Sequence, residues 1–318
     1  MDDMRPQWGL CLAIAVSLVL AACGGTREGD AESGDEPAAA GGDAAPAAAD
    51  GSAALRCPPK VRAELSGPDI IGIRIGMSAD EALATTRCAL GEDADVKAGD
   101  RWLERVETHG VELGTQTFTV RKGEHRPCNF QREWQECEGG LKWEHVDEIV
   151  TVATPGAPGK ETALGVWRTQ TFREGAMPPV QALLDALASK YGPPQITETS
   201  DKPRGYAAGH RDLEWVFDRA GHPLAEANPM FSRCRGAVHA YKGNTSARWN
   251  DGCGLNIRAR VLPSGNNPGL AMELGSAMLH QGELFAQVEA MQAELQQLGQ
   301  ARRESEVQQA QEAGDVRL

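Results

Sequence analysis

A chain of 318 residues has room for one large domain or two ordinary ones. Its 24% charged and 41% hydrophobic residues rule out a multi-span membrane protein, which needs repeated apolar runs of about 20 residues. The formal net charge of −13 argues against a nucleic-acid binder, because neutralising phosphates takes clustered Lys and Arg.

The acidity belongs to the flanks. Residues 1–22 carry a net −1, residues 24–56 a net −5 and residues 281–318 a net −4, which leaves −3 for 57–280. Acidic runs of this kind keep a segment solvated and self-repelling. In chain order, residues 9–20 (GLCLAIAVSLVL) come first, an apolar run after Arg5 and before small residues. That is the length of a signal-peptide core and short of a spanning helix. Asp2 and Asp3 spoil the positive start that such a segment needs, and beginning at Met4 would restore it.

The run ends in Leu20-Ala21-Ala22-Cys23, which resembles the lipobox of bacterial lipoproteins. The resemblance implies cleavage between Ala22 and Cys23, a diacylglycerol on the Cys23 sulfur and an acyl chain on its amine. One acyl chain binds a bilayer only marginally, whereas several hold it durably. Gly24 rather than Asp after the cysteine implies, by the same resemblance, the outer membrane, with the protein facing the periplasm. Residues 1–22 are thus expected to be a signal peptide. Residues 23–56, rich in Ala, Gly, Asp, Glu and Pro, read as a disordered tether with a reach of about 30 Å.

Ile71, Ile73 and Ile75 alternate as a half-buried strand would. Ser78 and Glu81 then form an S-x-x-E capping box, with Met77 placed to staple onto Ala82. Strand-like runs follow at 102–106, 116–122, 146–152 and 165–172. A second helix is marked by Val180, Leu183, Leu184, Leu187 and Tyr191 on one face. Pro178 or Pro179 suits its first turn, Gly192 its end, and Pro193 stops it. Further strands are expected at 213–218, 237–242, 254–262 and 270–274. A final helix over 281–311 has Leu284, Val288, Met291, Leu295 and Leu298 at 4-3-4-3 spacing, broken at Arg302 and Ser305. Docking on its own body is the first reading of that seam, and pairing with a second copy or another envelope protein is the other.

The helix-then-strands order occurs twice, which predicts an α+β fold of two tandem helix-plus-antiparallel-sheet units, 57–176 and 177–276. The segment GIRIGMSADEAL is similar to the G-x-x-x-GM-[ST]-x-x-[EQ] opening of BamE-like (SmpA/OmlA) small lipoproteins. That resemblance implies a helical pair on a three-stranded antiparallel sheet, an arrangement seen in tandem in the β-lactamase inhibitor protein. The helix ending in KYGPP resembles a pattern common in exported proteobacterial proteins of unknown function. The present chain is far longer than BamE and has six extra cysteines, so only the fold expectation is carried over.

After Cys11 and Cys23, six cysteines remain: Cys57, Cys88, Cys128, Cys137, Cys234 and Cys253. An even number in an exported chain favours disulfides, with 15 possible connectivities. Sequential pairing is the first choice because each bond then closes a short loop. No C-x₂-C pair supports zinc, and neither metal nor cofactor is expected. G-x-S-x-G, H-E-x-x-H, Walker and dinucleotide-turn motifs are absent from the sequence. His239, five residues after Cys234, is the one close Cys/His pair, and a reduced Cys234 beside it would make a hydrolase or redox centre. Trp134, Trp143, Trp167, Trp215 and Trp249 lie in or beside strand candidates, so core packing is their first reading and contact with peptidoglycan, glycan or protein the second. The sequence therefore points to a non-enzymatic envelope lipoprotein that binds or scaffolds a partner.

Overall fold

The computed structural model describes residues 57, 65, 67–100, 103, 106–133, 135–200, 209–240 and 249–314. All of them fall in a single unit, Ala53–Leu318. The signal segment, Cys23, the tether and Trp134 lie outside the described residues.

The first helix, α1 (Ala79–Leu90), starts where its capping box places it. The Ser78 hydroxyl accepts from the Glu81 amide at 3.2 Å, and the Glu81 carboxylate accepts from the Ser78 amide at 2.9 Å. Met77 and Ala82 are both fully buried in one cluster, as a staple requires. The isoleucine run before the helix is not a strand. Ile70 and Ile73 instead pair across a two-residue turn, with mutual backbone bonds of 3.1 and 2.9 Å. Ile71 has φ 48° and Gly72 φ 88°, and the Asp69 carboxylate accepts from the Gly72 amide at 2.7 Å. Left-handed backbone at both central positions is the signature of a type I′ turn, which Gly tolerates and Ile does not unless held. The turn reverses the chain so that Ile70 and Ile73 both enter the core.

Eight strands form one sheet: β1 (Asp95–Gly99), β2 (Thr117–Pro127), β3 (Leu141–Ala153), β4 (Gly165–Thr171), β5 (Ile196–Ser200), β6 (His210–Asp218), β7 (Cys253–Pro263) and β8 (Ala271–His280). Their order is β1-β2-β3-β4-β8-β7-β6-β5, and every pairing is antiparallel. Short helices α2 (Phe130–Glu133) and α4 (Phe231–Cys234) interrupt the β2–β3 and β6–β7 connections, and α3 (Val180–Tyr191) precedes β5. The fold is thus α+β, built on one continuous sheet in which β4 pairs β8 in register from Gly165↔Leu279 to Thr171↔Glu273.

One sheet face carries the main core. Phe118, Val120, Val150, Val152, Val166, Trp215, Ile257 and Met278 alternate inward at 0–1% exposure, and α1 and α3 contribute Ala82 and Leu187 to the same cluster. Leu187 is the one fully buried member of the α3 stripe, while Val180, Leu183, Leu184 and Tyr191 are partly buried against the core. The Tyr191 hydroxyl donates to the Asp69 carbonyl at 2.8 Å and ties the turn before α1 to the end of α3.

The last helix, α5 (Gln281–Ala313), docks on the body through Leu284, Met291 and Leu295, all at 3% exposure or less, with Val288 beside them. Leu298 is 41% exposed and does not continue the seam. The helix runs on through Arg302, whose guanidinium donates to the carbonyls of Gly110 and His109, and residues 300–312 are exposed throughout. Three disulfides pair the cysteines sequentially: Cys57–Cys88, Cys128–Cys137 and Cys234–Cys253, with Cα separations of 5.5, 5.8 and 5.3 Å.

Three strand expectations fail. Beyond the turn at Ile71, Val106 and Leu103 lie outside any strand, with Trp102 outside the described residues. Residues 237–240 are an irregular segment crossing the sheet. The edge strands β1 (DVKAG) and β5 (ITETS) were not anticipated, because each has three exposed central residues and no apolar alternation to read.

Candidate functional site

The second face of the sheet carries a smaller apolar cluster of Trp167, Ala277, Leu279, Leu284, Ala237 and Val238, and beside it lies a polar row. Along β7, Ile257, Ala259 and Val261 face the core, so Asn256, Arg258 and Arg260 point to the other side. The register places Glu214 of β6 opposite Arg258 and Asp212 opposite Arg260. On the far side of β7, Leu279, Ala277 and Gly275 stand opposite Asn256, Arg258 and Arg260.

Residues 236–240 lie across this face as a strap. The Asn256 side-chain oxygen accepts from the amides of Ala237 and Val238 at 3.1 and 3.3 Å, while its amide donates to Glu214 at 2.8 Å and to the Trp215 carbonyl at 3.2 Å. Glu214 accepts in turn from the Gly236 amide. Asn256 and Glu214 are 0% and 3% exposed, so these bonds are made away from water and leave Asn256 fully satisfied. At the other end of the strap, the Ala240 carbonyl approaches so closely that a Cβ at position 275 would sit 2.5 Å from its oxygen. Gly275 is therefore required by the close approach of two backbones. The base of the strap is fixed by the Cys234–Cys253 bond and by Gln281 of α5, whose amide donates to the Cys234 carbonyl at 2.7 Å.

His239 is the exposed residue of the strap. The anchors at Asn256 and Gly275 bracket it, so it stands over the rows that hold Arg258 and Arg260. Partial burial, and then the charges of Arg258 and Arg260, hold its imidazole below the usual histidine range, against a smaller opposing effect of Glu214. Arg260 is engaged by Asp212 in a fork at 2.8 and 2.9 Å, and His210 approaches the same carboxylate at 3.2 Å.

The residues singled out in the sequence are distributed as follows. Cys234 is bonded to Cys253 and fully buried, so no thiol faces His239 in this oxidised form. Trp167 and Trp215 are core residues at 1% exposure, and Trp249 packs partly buried against the smaller cluster under α5. Trp143 is half-buried between the Arg121 guanidinium, 5.7 Å from its ring centre, and the edge of His125 at 4.9 Å. Arg121 forks to Glu138 at 2.6 and 2.7 Å and, with Lys97, holds that carboxyl at about 2, far below the usual range. Sequence reasoning missed Asn256, Glu214, Arg258 and Gly275, which lie on four strand positions brought together only by the β6-β7-β8 register. The alternation of polar residues in NIRAR was the available signal.

Among the described residues no group of three or more His, Cys, Asp or Glu side chains is placed to hold a metal ion, and no helix is long and apolar enough to cross a membrane. No known family model, curated protein or solved structure matches the chain.

Proposed function

We propose that this chain is an acylated protein of the bacterial envelope, anchored at Cys23 in the outer membrane, whose disulfide-pinned body binds or scaffolds an envelope partner without catalysing a reaction. The observation that carries the reading is the pairing of all six cysteines after Cys23 into local loops of 31, 9 and 19 residues. Bonds of that kind persist in oxidising compartments and are rare where glutathione keeps thiols reduced. The apolar run 9–20 ending in LAAC supplies the route of export.

The body is read as two tandem units of one construction. The order helix, two strands, short helix, two strands occurs twice along the chain, with β4 and β8 joining the halves at the sheet centre. Each half has one long helix, one four-residue helix and four strands, which differs from the helical pair on a three-stranded sheet implied by the resemblance of GIRIGMSADEAL to BamE-like proteins. The exposed end of α5 beyond Arg302 is the contact offered to an envelope protein, to peptidoglycan or to a second copy. Its Val307, at 56% exposure, is the most exposed large hydrophobic side chain among the described residues.

Growth of the producing bacterium on labelled palmitate tests the anchor. Label on the wild-type chain and none on Cys23→Ser is expected. An unlabelled wild-type chain, or one recovered with residues 1–22 still attached, would overturn the proposal.

A further inference from the structure

Charge pairing on the strap face leaves one group over. Arg260 has its carboxylate in Asp212. Arg258 stands directly opposite Glu214 in the β6–β7 register, the position at which a cross-strand ion pair is ordinarily made. That pair is not made. Glu214 turns its Oε1 to the Gly236 amide and the Asn256 amide, and that oxygen holds the strap. Among the described residues the Arg258 guanidinium has no hydrogen bond and no ion pair, although the residue is half-buried on the sheet.

The strap then brings a second donor over the same spot. Asn256 fixes Ala237 and Val238 above one row of the sheet, and the Ala240 carbonyl lies on Gly275 two rows away. The row between them is that of Arg258 and Ala277, and the strap residue above it is His239. The unpaired guanidinium of Arg258 is near enough to the exposed His239 imidazole for its charge to act on it.

We infer that Arg258 and His239 form a binding site for a single carboxylate group, the guanidinium taking both oxygens and the imidazole N–H closing on one of them. A carboxylate is the planar, two-oxygen partner that a guanidinium fork fits. The charge count selects it over a phosphate dianion. Arg258 is a single cation outside an ion pair, which matches the one negative charge of a carboxylate rather than the two of a phosphate dianion. The inference does not depend on anchoring at Cys23, and its failure would leave the proposed function as it stands.

The test is a titration of the full chain carrying ring-labelled histidine, with the His239 signal assigned from His239→Gln. The charged and titratable groups facing His239 are Arg258 and Arg260 of β7 and Glu214 of β6. Without ligand, Arg258→Gln is expected to raise the His239 midpoint, since one of the two cations lowering it is gone. With N-acetylalanine added to the wild-type chain, that midpoint is expected to rise by about half a pH unit or more in a saturable manner, because a bound carboxylate favours the imidazolium. In Arg258→Gln the dependence on N-acetylalanine should vanish, and in Arg258→Lys, which keeps the charge and loses the fork, it should weaken at least several-fold. Three results would overturn the inference: no effect of N-acetylalanine on the wild-type midpoint, an equal effect in Arg258→Gln, or a stronger effect of inorganic phosphate than of N-acetylalanine. A melting temperature for Arg258→Gln close to wild type separates loss of the site from loss of the fold. If Arg258→Gln does not fold, the Arg258→Lys comparison decides.

Discussion

Asn256 is the residue on which the strap depends. Its side chain accepts two successive amides and donates to a buried carboxylate and a carbonyl, so it joins β7, β6 and the segment crossing them. Removing it leaves the amides of Ala237 and Val238 without their acceptor and strips Glu214 of one donor. Each buried group left unsatisfied costs about 1–3 kcal/mol. Asn256→Ala is therefore expected to lower stability by at least about 2 kcal/mol, read as a shift of the urea midpoint with an unchanged slope. A midpoint equal to wild type would mean that the strap is not held by this side chain. The alternation in NIRAR places Asn256 on the face opposite Ile257, but an asparagine there has the same appearance whether that face meets water or a neighbouring loop. The capping pair Ser78/Glu81 was legible for the opposite reason. Both partners sit within four residues, and local geometry alone decides the bond.

Among the elements, α5 is the one whose start responds to pH. His280 caps it, its Nδ1 accepting from the Glu283 amide at 3.2 Å, which requires an unprotonated nitrogen. Burial lowers the affinity of His280 for a proton, Glu283 opposes that, and Arg219 reinforces it, with the net folded value below the ordinary 6.5. A histidine held below its unfolded value contributes stability that is complete above about pH 6.5 and is lost as pH falls through the folded value. His280→Asn supplies a cap that does not titrate. Between pH 7.5 and 5 the wild-type melting temperature should fall more steeply than that of His280→Asn, with the gap growing toward acid by up to about 1 kcal/mol. Parallel curves would remove the cap from the account. The helices α1, α3 and α5 were readable because each carries its own boundary signals and a 3.6-residue stripe. The strands read less well at the edges. The five residues of β1 and of β5 alternate weakly because one long side of each strand has no neighbouring strand among the described residues, and little apolar surface is needed there. The run Ile71, Ile73, Ile75 misled in the other direction. Apolar residues two apart suit a strand, but a left-handed pair at Ile71 and Gly72 reverses the chain and buries Ile70 and Ile73 together.

At the scale of the molecule, the sheet is covered on one face by α1 and α3 and on the other by the strap and the first part of α5. Leu284 and Leu295 are fully buried and Met291 nearly so, whereas residues 300–312 are exposed. Two truncations should then behave differently. Deleting 304–318 removes no buried side chain among the described residues and is expected to leave the melting temperature within about 2 °C of wild type. Deleting 281–318 uncovers Trp167 and Leu279 and removes three buried side chains, each worth about 2–5 kcal/mol, so the remainder should be unfolded or severely destabilised. Equal effects of the two deletions would show that the seam from Leu284 to Leu295 does not dock. Peptide mapping without reduction should recover the three sequential disulfides, and any other pairing would contradict the Cα separations of 5.5, 5.8 and 5.3 Å within these pairs.

By itself the sequence determined the α+β class, the three long helices and most of the strands, because each of these is set by periodicity or caps within a few tens of residues, and it made sequential disulfide pairing the first choice among 15. Only the tertiary structure decided that β1 to β8 share one sheet, that α5 turns its seam inward, and that 236–240 crosses the sheet as a strap. The physical reason is the same in each case. Strand order and face assignment depend on which distant backbones exchange hydrogen bonds, and a group such as Arg258 is left without a counter-ion only after Glu214, opposite it, has been turned to another partner.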